Sequence, residues 1–120
     1  MGALEMLRSA ADFQAIQGRS HSRSDPTLLV RYRRNGLDHT RFGISTGRRV
    51  GPAVVRNRVR RRLRTILRGM APGIAPGWDV LLVARQAAAT LPQRDIEIVV
   101  TRLMGSAGLL SAETNTTRTN

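Results

Sequence analysis

Residues 56 to 64 read Arg-Asn-Arg-Val-Arg-Arg-Arg-Leu-Arg, and this run constrains the fold more than any other part of the chain. Neighbouring guanidinium groups repel, so arginines alone give a segment no reason to fold. Here aliphatic residues are threaded through them at helical spacing. Val55, Val59, Leu63, Ile66, Leu67 and Met70 fall within one sector of about 120° at 100° per residue. The spacing predicts a helix with one core side, the rest covered by Asn57, Arg58, Arg60, Arg61, Arg62, Arg64 and Arg68. Arg56 is the exception, at the edge of the apolar sector. A solvated helix face normally interleaves both signs so that side chains pair at i,i+4. Seven arginines without one acid require a counter-charge from a partner. The same imbalance extends from residue 39 to 78, with ten arginines and no Asp or Glu. Such a surface fits a polyanion, nucleic acid foremost.

Around this helix the remaining elements follow from local chemistry. Ser9 with Asp12 three residues on resembles a capping box, and Gly18 suits a helix stop, predicting a first helix over 10–17. Residues 19–26 look like loop. Residues 27–32 and 41–46 are strand-like, and Asn35-Gly36 between them is a strong turn signal, so a hairpin is expected. Gly51-Pro52 opens the basic helix, with Pro welcome at a first helical position. Two Pro-Gly pairs within 71–77 close it. Residues 78–84, Trp-Asp-Val-Leu-Leu-Val-Ala, form a nearly continuous apolar run of the kind buried on both faces. From Pro92 to Met104 the pattern is again helical.

At 120 residues the chain suits one domain over 1–110, able to bury roughly two-thirds of its unfolded surface. The last ten residues, 111–120, have almost nothing to bury and are expected to be a disordered tail. The net charge is +12 and every basic residue is Arg. Its planar fork grips phosphate bidentately, although a GC-rich coding bias also accounts for the lack of Lys. Cysteine is absent, which excludes disulfides and thiolate metal sites. No apolar run reaches the ~20 residues of a membrane span, and the N-terminus lacks the order of a signal peptide, so a cytoplasmic location is expected. Catalytic constellations are scarce: the acids are scattered, His21 and His39 lie in polar segments, and no Ser or Thr sits in a nucleophile-elbow or phosphate-loop pattern. No catalytic residue and no metal ligand is assigned.

The segments DFQAI (12–16), GISTGRRVGPAVVRNRVRRRLR (43–64) and PGWDVLLVAR (76–85) closely resemble the protein component of bacterial ribonuclease P. The resemblance runs from Leu7 to Leu110. It implies an α/β sandwich in the order αβββαβα, with a first strand inside 19–26 and a left-handed β-α-β crossover, of the ribosomal protein S5 domain 2-like kind. That hand runs against the usual right-handed rule. The resemblance further implies a ribonucleoprotein endonuclease that removes the 5′ leader of precursor tRNA. Its Mg²⁺ would be held mainly by the catalytic RNA subunit. The signature falls on Arg48, Arg49, Arg56, Asn57, Arg58, Arg60, Arg61 and Arg64 as RNA-binding residues. Phe13, Arg31, Tyr32, Arg56, Asn57, Arg60 and Arg61 would line a cleft for the single-stranded leader.

There are departures from the family pattern. A second aromatic four residues after Phe13 is replaced by Gln17, a strand Tyr by Arg31 beside Tyr32, and a basic N-terminal stretch is reduced to Arg8. Leader binding is therefore expected to rest more on charge than on stacking. A ribosomal or assembly-type RNA-binding protein is the alternative, but it has no reason to carry the Arg-Asn-Arg signature. A DNA-binding regulator would place base-reading variety on the helix, where only Asn57 stands among arginines. Neither a membrane nor DNA is an expected partner.

Overall fold

The structure is a computed structural model of the chain, described over residues 4–111; all of the expected tail but Ser111 lies outside them. Seven principal elements follow one another: α1 (Ala10–Gly18), β1 (His21–Ser24), β2 (Leu28–Arg34), β3 (Arg41–Thr46), α2 (Ala53–Met70), β4 (Trp78–Ala84) and α3 (Gln93–Ser106). This is the αβββαβα order. The four strands form one sheet in the order β1-β2-β4-β3.

The core explains that order. Along β4, Val80, Leu82 and Ala84 point to one face and Leu81 and Val83 to the other, and both faces are apolar. A strand of this kind has to be central. It pairs antiparallel with all seven residues of β2 and parallel with all six of β3. The expected hairpin between β2 and β3 is therefore absent, because β4 lies between them. The turn chemistry at Asn35-Gly36 is nonetheless used. Gly36 takes φ +74°, which favours glycine, and the Asn35 side chain accepts from the Leu37 N–H at 2.8 Å. The loop then carries the chain across the start of β4, where the Asn35 N–H donates to Gly77 O.

β1 pairs antiparallel with β2 through four residues, all of them exposed. Its two polar faces erase the alternation that marks a strand, which is why local chemistry reads it as loop. At the opposite edge, residues 5–7 run beside β3. Phe42 N donates to Glu5 O, and Leu7 N to Phe42 O.

Helices α2 and α3 cover one face of the sheet, joining Leu28, Val30, Tyr32, Phe42, Val80 and Leu82 to Val59, Leu63, Leu67, Ile96, Val100 and Met104 in the main core. Helix α1 lies across part of the other face, with Leu7, Ile16 and Leu81 buried beneath it. Gly43 of β3 permits its close approach. A Cβ there would stand 3.0 Å from Phe13 Cε1 and 3.1 Å from Leu7 Cδ1 and Leu81 Cδ1. Ser9 caps α1 as expected, its hydroxyl accepting from the Asp12 N–H at 3.0 Å. Pro52 is the N-cap of α2, one residue earlier than expected.

Candidate nucleic-acid interface

Helix α2 sorts its arginines by direction, because the side chains beside its buried stripe meet different neighbours. On one flank Arg60 donates to Thr46 Oγ1, at the end of β3, at 2.7 Å and to Asn57 Oδ1 at 3.1 Å. Arg56 stands one turn earlier on that flank, half-buried, with an Nε that is buried and unpartnered among the described residues. On the other flank Arg58 donates to Ala89 O and Arg62 to Leu91 O, each at 3.2 Å. These two tie α2 to the connection between β4 and α3. Of the helix's arginines only Arg61, Arg64 and Arg68 are exposed, together with Asn57, on the side of α2 opposite its buried stripe. The arginines near the N-terminus of α2 also oppose the helix macrodipole, whose positive end lies there. Nothing on the helix compensates them.

The loop before α2 adds Arg48 and Arg49. A single 3-10 turn, Arg48–Val50, buries Val50 and leaves both arginines exposed. Gly51 ends the turn at φ +147°, a conformation that disfavours side chains.

The open part of the second sheet face forms a cleft. Arg31, Leu81 and Gly43 are register partners across β2, β4 and β3, so Arg31 shares that face with Phe13. The next row, Leu29, Val83 and Ser45, is half-buried and forms the floor beyond α1. A cleft of about 680 Å³ continues from Ser45 and Val83 to Arg48, Arg49, Arg85 and Gln86. Arg85 is the residue that sequence reasoning missed. It ends the PGWDVLLVAR segment, and only the parallel pairing of β3 with β4 brings it beside Arg48 and Arg49.

Tyr32 does not belong to this cleft. Period-two alternation sends it to the opposite face from Arg31, where it is 5% exposed. There its ring meets Trp78 edge-on at 5.8 Å and His21 at 5.6 Å. Arg61, also expected in the cleft, stands on the outer side of α2 instead. Phe13 is half-buried, with Cε1 against the sheet at Gly43.

One arginine of the 39–78 region is neutralised internally. Arg41 donates from Nε and Nη2 to the two carboxylate oxygens of Asp79 at 2.9 and 2.8 Å, and Asp12 lies 3.4 Å from its Nη1. The Asp79 hydrogen bond raises the Arg41 pKa further, against the opposing effect of burial. Asp25 pairs with Arg102 at 2.7 Å, and Asp38 lies beside His39. Among the described residues no three His, Asp or Glu side chains gather where they could hold a metal ion. The carboxylates among the described residues therefore do not fit a Mg²⁺ site. Among the described residues no helix is long and apolar enough to cross a membrane.

The fold and this surface define a class: a basic α/β domain whose arginines form exposed surfaces of one sign. The ribonuclease P family model matches residues 1–108. A ribonuclease P protein component from Symbiobacterium thermophilum is 38% identical over 109 residues, covering 89% of this chain and 94% of that protein. One from Clostridium novyi is 35% identical over 107 residues, covering 88% and 95%. The Staphylococcus aureus RNase P protein superposes with a TM-score of 0.81 at 28% identity, covering 88% of this chain and 97% of that one. The Thermotoga maritima RNase P protein does so with a TM-score of 0.74 at 28% identity, covering 82% and 94%. This chain belongs to the ribonuclease P protein family.

Proposed function

We propose that this chain is the protein subunit that binds the catalytic RNA of ribonuclease P and holds the 5′ leader of precursor tRNA, working in the cytoplasm. The observation that carries this reading is the division of its cations. Arg41, Arg58, Arg60 and Arg62 have partners inside the protein, whereas Arg48, Arg49, Arg61, Arg64, Arg68 and Arg85 have none among the described residues. The unpaired group falls into two sets. The outer side of α2 is an exposed, one-signed surface suited to the phosphates of a folded RNA. The cleft sets Arg48, Arg49 and Arg85 beside Ser45 and Val83 of the sheet face against which Phe13 packs, a combination suited to a single strand.

In this division of labour the protein positions and neutralises. Hydrolysis of a phosphodiester needs an activated water and stabilisation of the leaving oxygen, which bound metal supplies in such enzymes. Arginine stabilises charge but is no general base at neutral pH. Mg²⁺ takes oxygen ligands, and RNA phosphates provide them where the carboxylates of the described residues do not gather to do so. The test is a precursor-tRNA cleavage assay with Mg²⁺, using polypeptide freed of RNA by denaturation and refolding. Cleavage at the 5′ site is expected only once the RNA subunit is restored. Site-specific cleavage by polypeptide alone would overturn the proposal.

A further inference from the structure

A second basic pocket lies apart from both surfaces. Arg19, Ser20, His21, Arg33, Arg34 and Trp78 line a cleft of about 480 Å³ where α1 passes into β1 and where β2 ends. β3 and β4 run parallel, so Trp78 at the start of β4 marks the opposite end of the sheet from Arg48, Arg49 and Arg85. The seven residues of β4, at ~3.3 Å each, separate the two ends by roughly 20 Å.

We infer that this pocket takes one nucleotide of single-stranded RNA, with its phosphate on Arg19 and Arg33 and its base stacked on the Trp78–Arg34 pair. This goes beyond the proposed function and rests on it. Four observations carry it. Three arginines line the cleft and no acidic residue does; the adjacent Asp79 is occupied by Arg41 and Asn35. The Arg34 guanidinium lies 4.7 Å from the centre of the Trp78 ring, and such planes are the stacking surfaces that unpaired bases use. Tyr32 meets the same indole edge-on and fixes its orientation, which limits the entropy lost on stacking. The Ser20 hydroxyl, on the same wall, is buried and has no hydrogen-bond partner among the described residues. A phosphate oxygen would accept from it. A strand or loop held here and a strand in the Phe13 cleft would touch opposite ends of one sheet. The polypeptide would then act as a two-point ruler for RNA.

Trp78 is the single tryptophan of the chain, so intrinsic fluorescence reports on this pocket. The experiment titrates the whole polypeptide with a short oligouridylate at low salt. Tryptophan emission is followed with unlabelled RNA, and anisotropy is followed in parallel with a dye-labelled copy. Quenching of Trp78 is expected as RNA binds. In Arg19→Ala/Arg33→Ala the quenching midpoint is expected about tenfold higher, because two charge-assisted hydrogen bonds to phosphate are removed. A thermal midpoint near that of the unaltered protein verifies folding. If the double variant does not fold, Arg19→Ala alone, at an exposed residue, is expected to shift the midpoint about threefold. A rise in anisotropy with unchanged Trp78 emission would overturn this inference and leave the proposed function standing. The same holds for quenching whose midpoint is unmoved in a folded variant. No rise in anisotropy at all would count against the proposed function itself.

Discussion

Asp79 does more for this molecule than its place in an apolar strand suggests. Its two oxygens accept from Arg41 Nε and Nη2, and one of them also accepts from Asn35 Nδ2 at 3.0 Å. One carboxylate thus gathers β3, β4 and the loop after β2, and Arg41 extends the group to Asp12 of α1. The side chains of Arg41 and Asp79 are 23% and 6% exposed. Removing one partner strands the other, so Asp79→Ala is expected to cost roughly 3 kcal/mol, near the low end for breaking a buried pair. The check is a lower denaturant midpoint at unchanged slope. Phe13 gives the complementary prediction. Bases stack on aromatic faces at about 1–3 kcal/mol, so Phe13→Ala in the reconstituted particle is expected to weaken precursor tRNA about tenfold and mature tRNA hardly at all. Equal losses for both, in a folded variant, would remove Phe13 from the leader cleft. The site was legible in part. Residue type marked the arginines, but which ones are consumed inside the protein depends on carbonyls at Ala89 and Leu91 that no local pattern announces. Arg31 and Tyr32 were both expected in the cleft, but neighbours in a strand face opposite ways, and Tyr32 lies in the core.

The basic helix was readable because it satisfies two constraints at once, a 3.6-residue apolar stripe and a single sign of charge. The apolar run of β4 was readable for a similar reason. Its neighbours were not, since pairing depends on which strand most needs two partners, a property of the whole sheet. Asn35-Gly36 makes the turn that it promises and still leads to no hairpin. β1 carries no apolar alternation, and only the family resemblance placed a strand there. Within α2 the sorting of arginines makes a sharp prediction. Arg58→Ala and Arg62→Ala each remove a charged donor to a backbone carbonyl and are expected to lower stability by about 1 kcal/mol. Their effect on the salt dependence of RNA binding is expected to be small. Arg61→Ala and Arg64→Ala, both at exposed positions, should leave stability nearly unchanged. Each is expected to reduce the slope of log affinity against log salt by about 0.7–0.9 for every phosphate it no longer neutralises. Thermal melts and salt titrations on the four variants check the division, and a uniform effect across them would contradict it.

At the scale of the whole molecule the net charge of +12 acts in two opposite directions. In the free protein, like charges are concentrated. Arg48 and Arg49 are adjacent, Arg85 shares their cleft, and Arg61, Arg64 and Arg68 lie on one side of α2. Their repulsion opposes the compact state, and added salt screens it over about 10 Å at 0.1 M. In the proposed complex the same groups would displace counterions from RNA, and added salt would oppose that release. Raising salt from low to moderate concentration is therefore expected to raise the thermal midpoint of the free protein while lowering its affinity for the RNA subunit. Neutralising about four or more phosphates would give a log–log slope of about −3 or steeper. Thermal melts of the protein and binding titrations, performed across one salt series, measure both signs. If affinity stays flat, the arginines of α2 and the cleft are not phosphate ligands. If affinity falls but the free protein is not stabilised, internal partners such as Asp79 and Asp25 already relieve the repulsion, and the unpaired arginines lie too far apart to strain the fold.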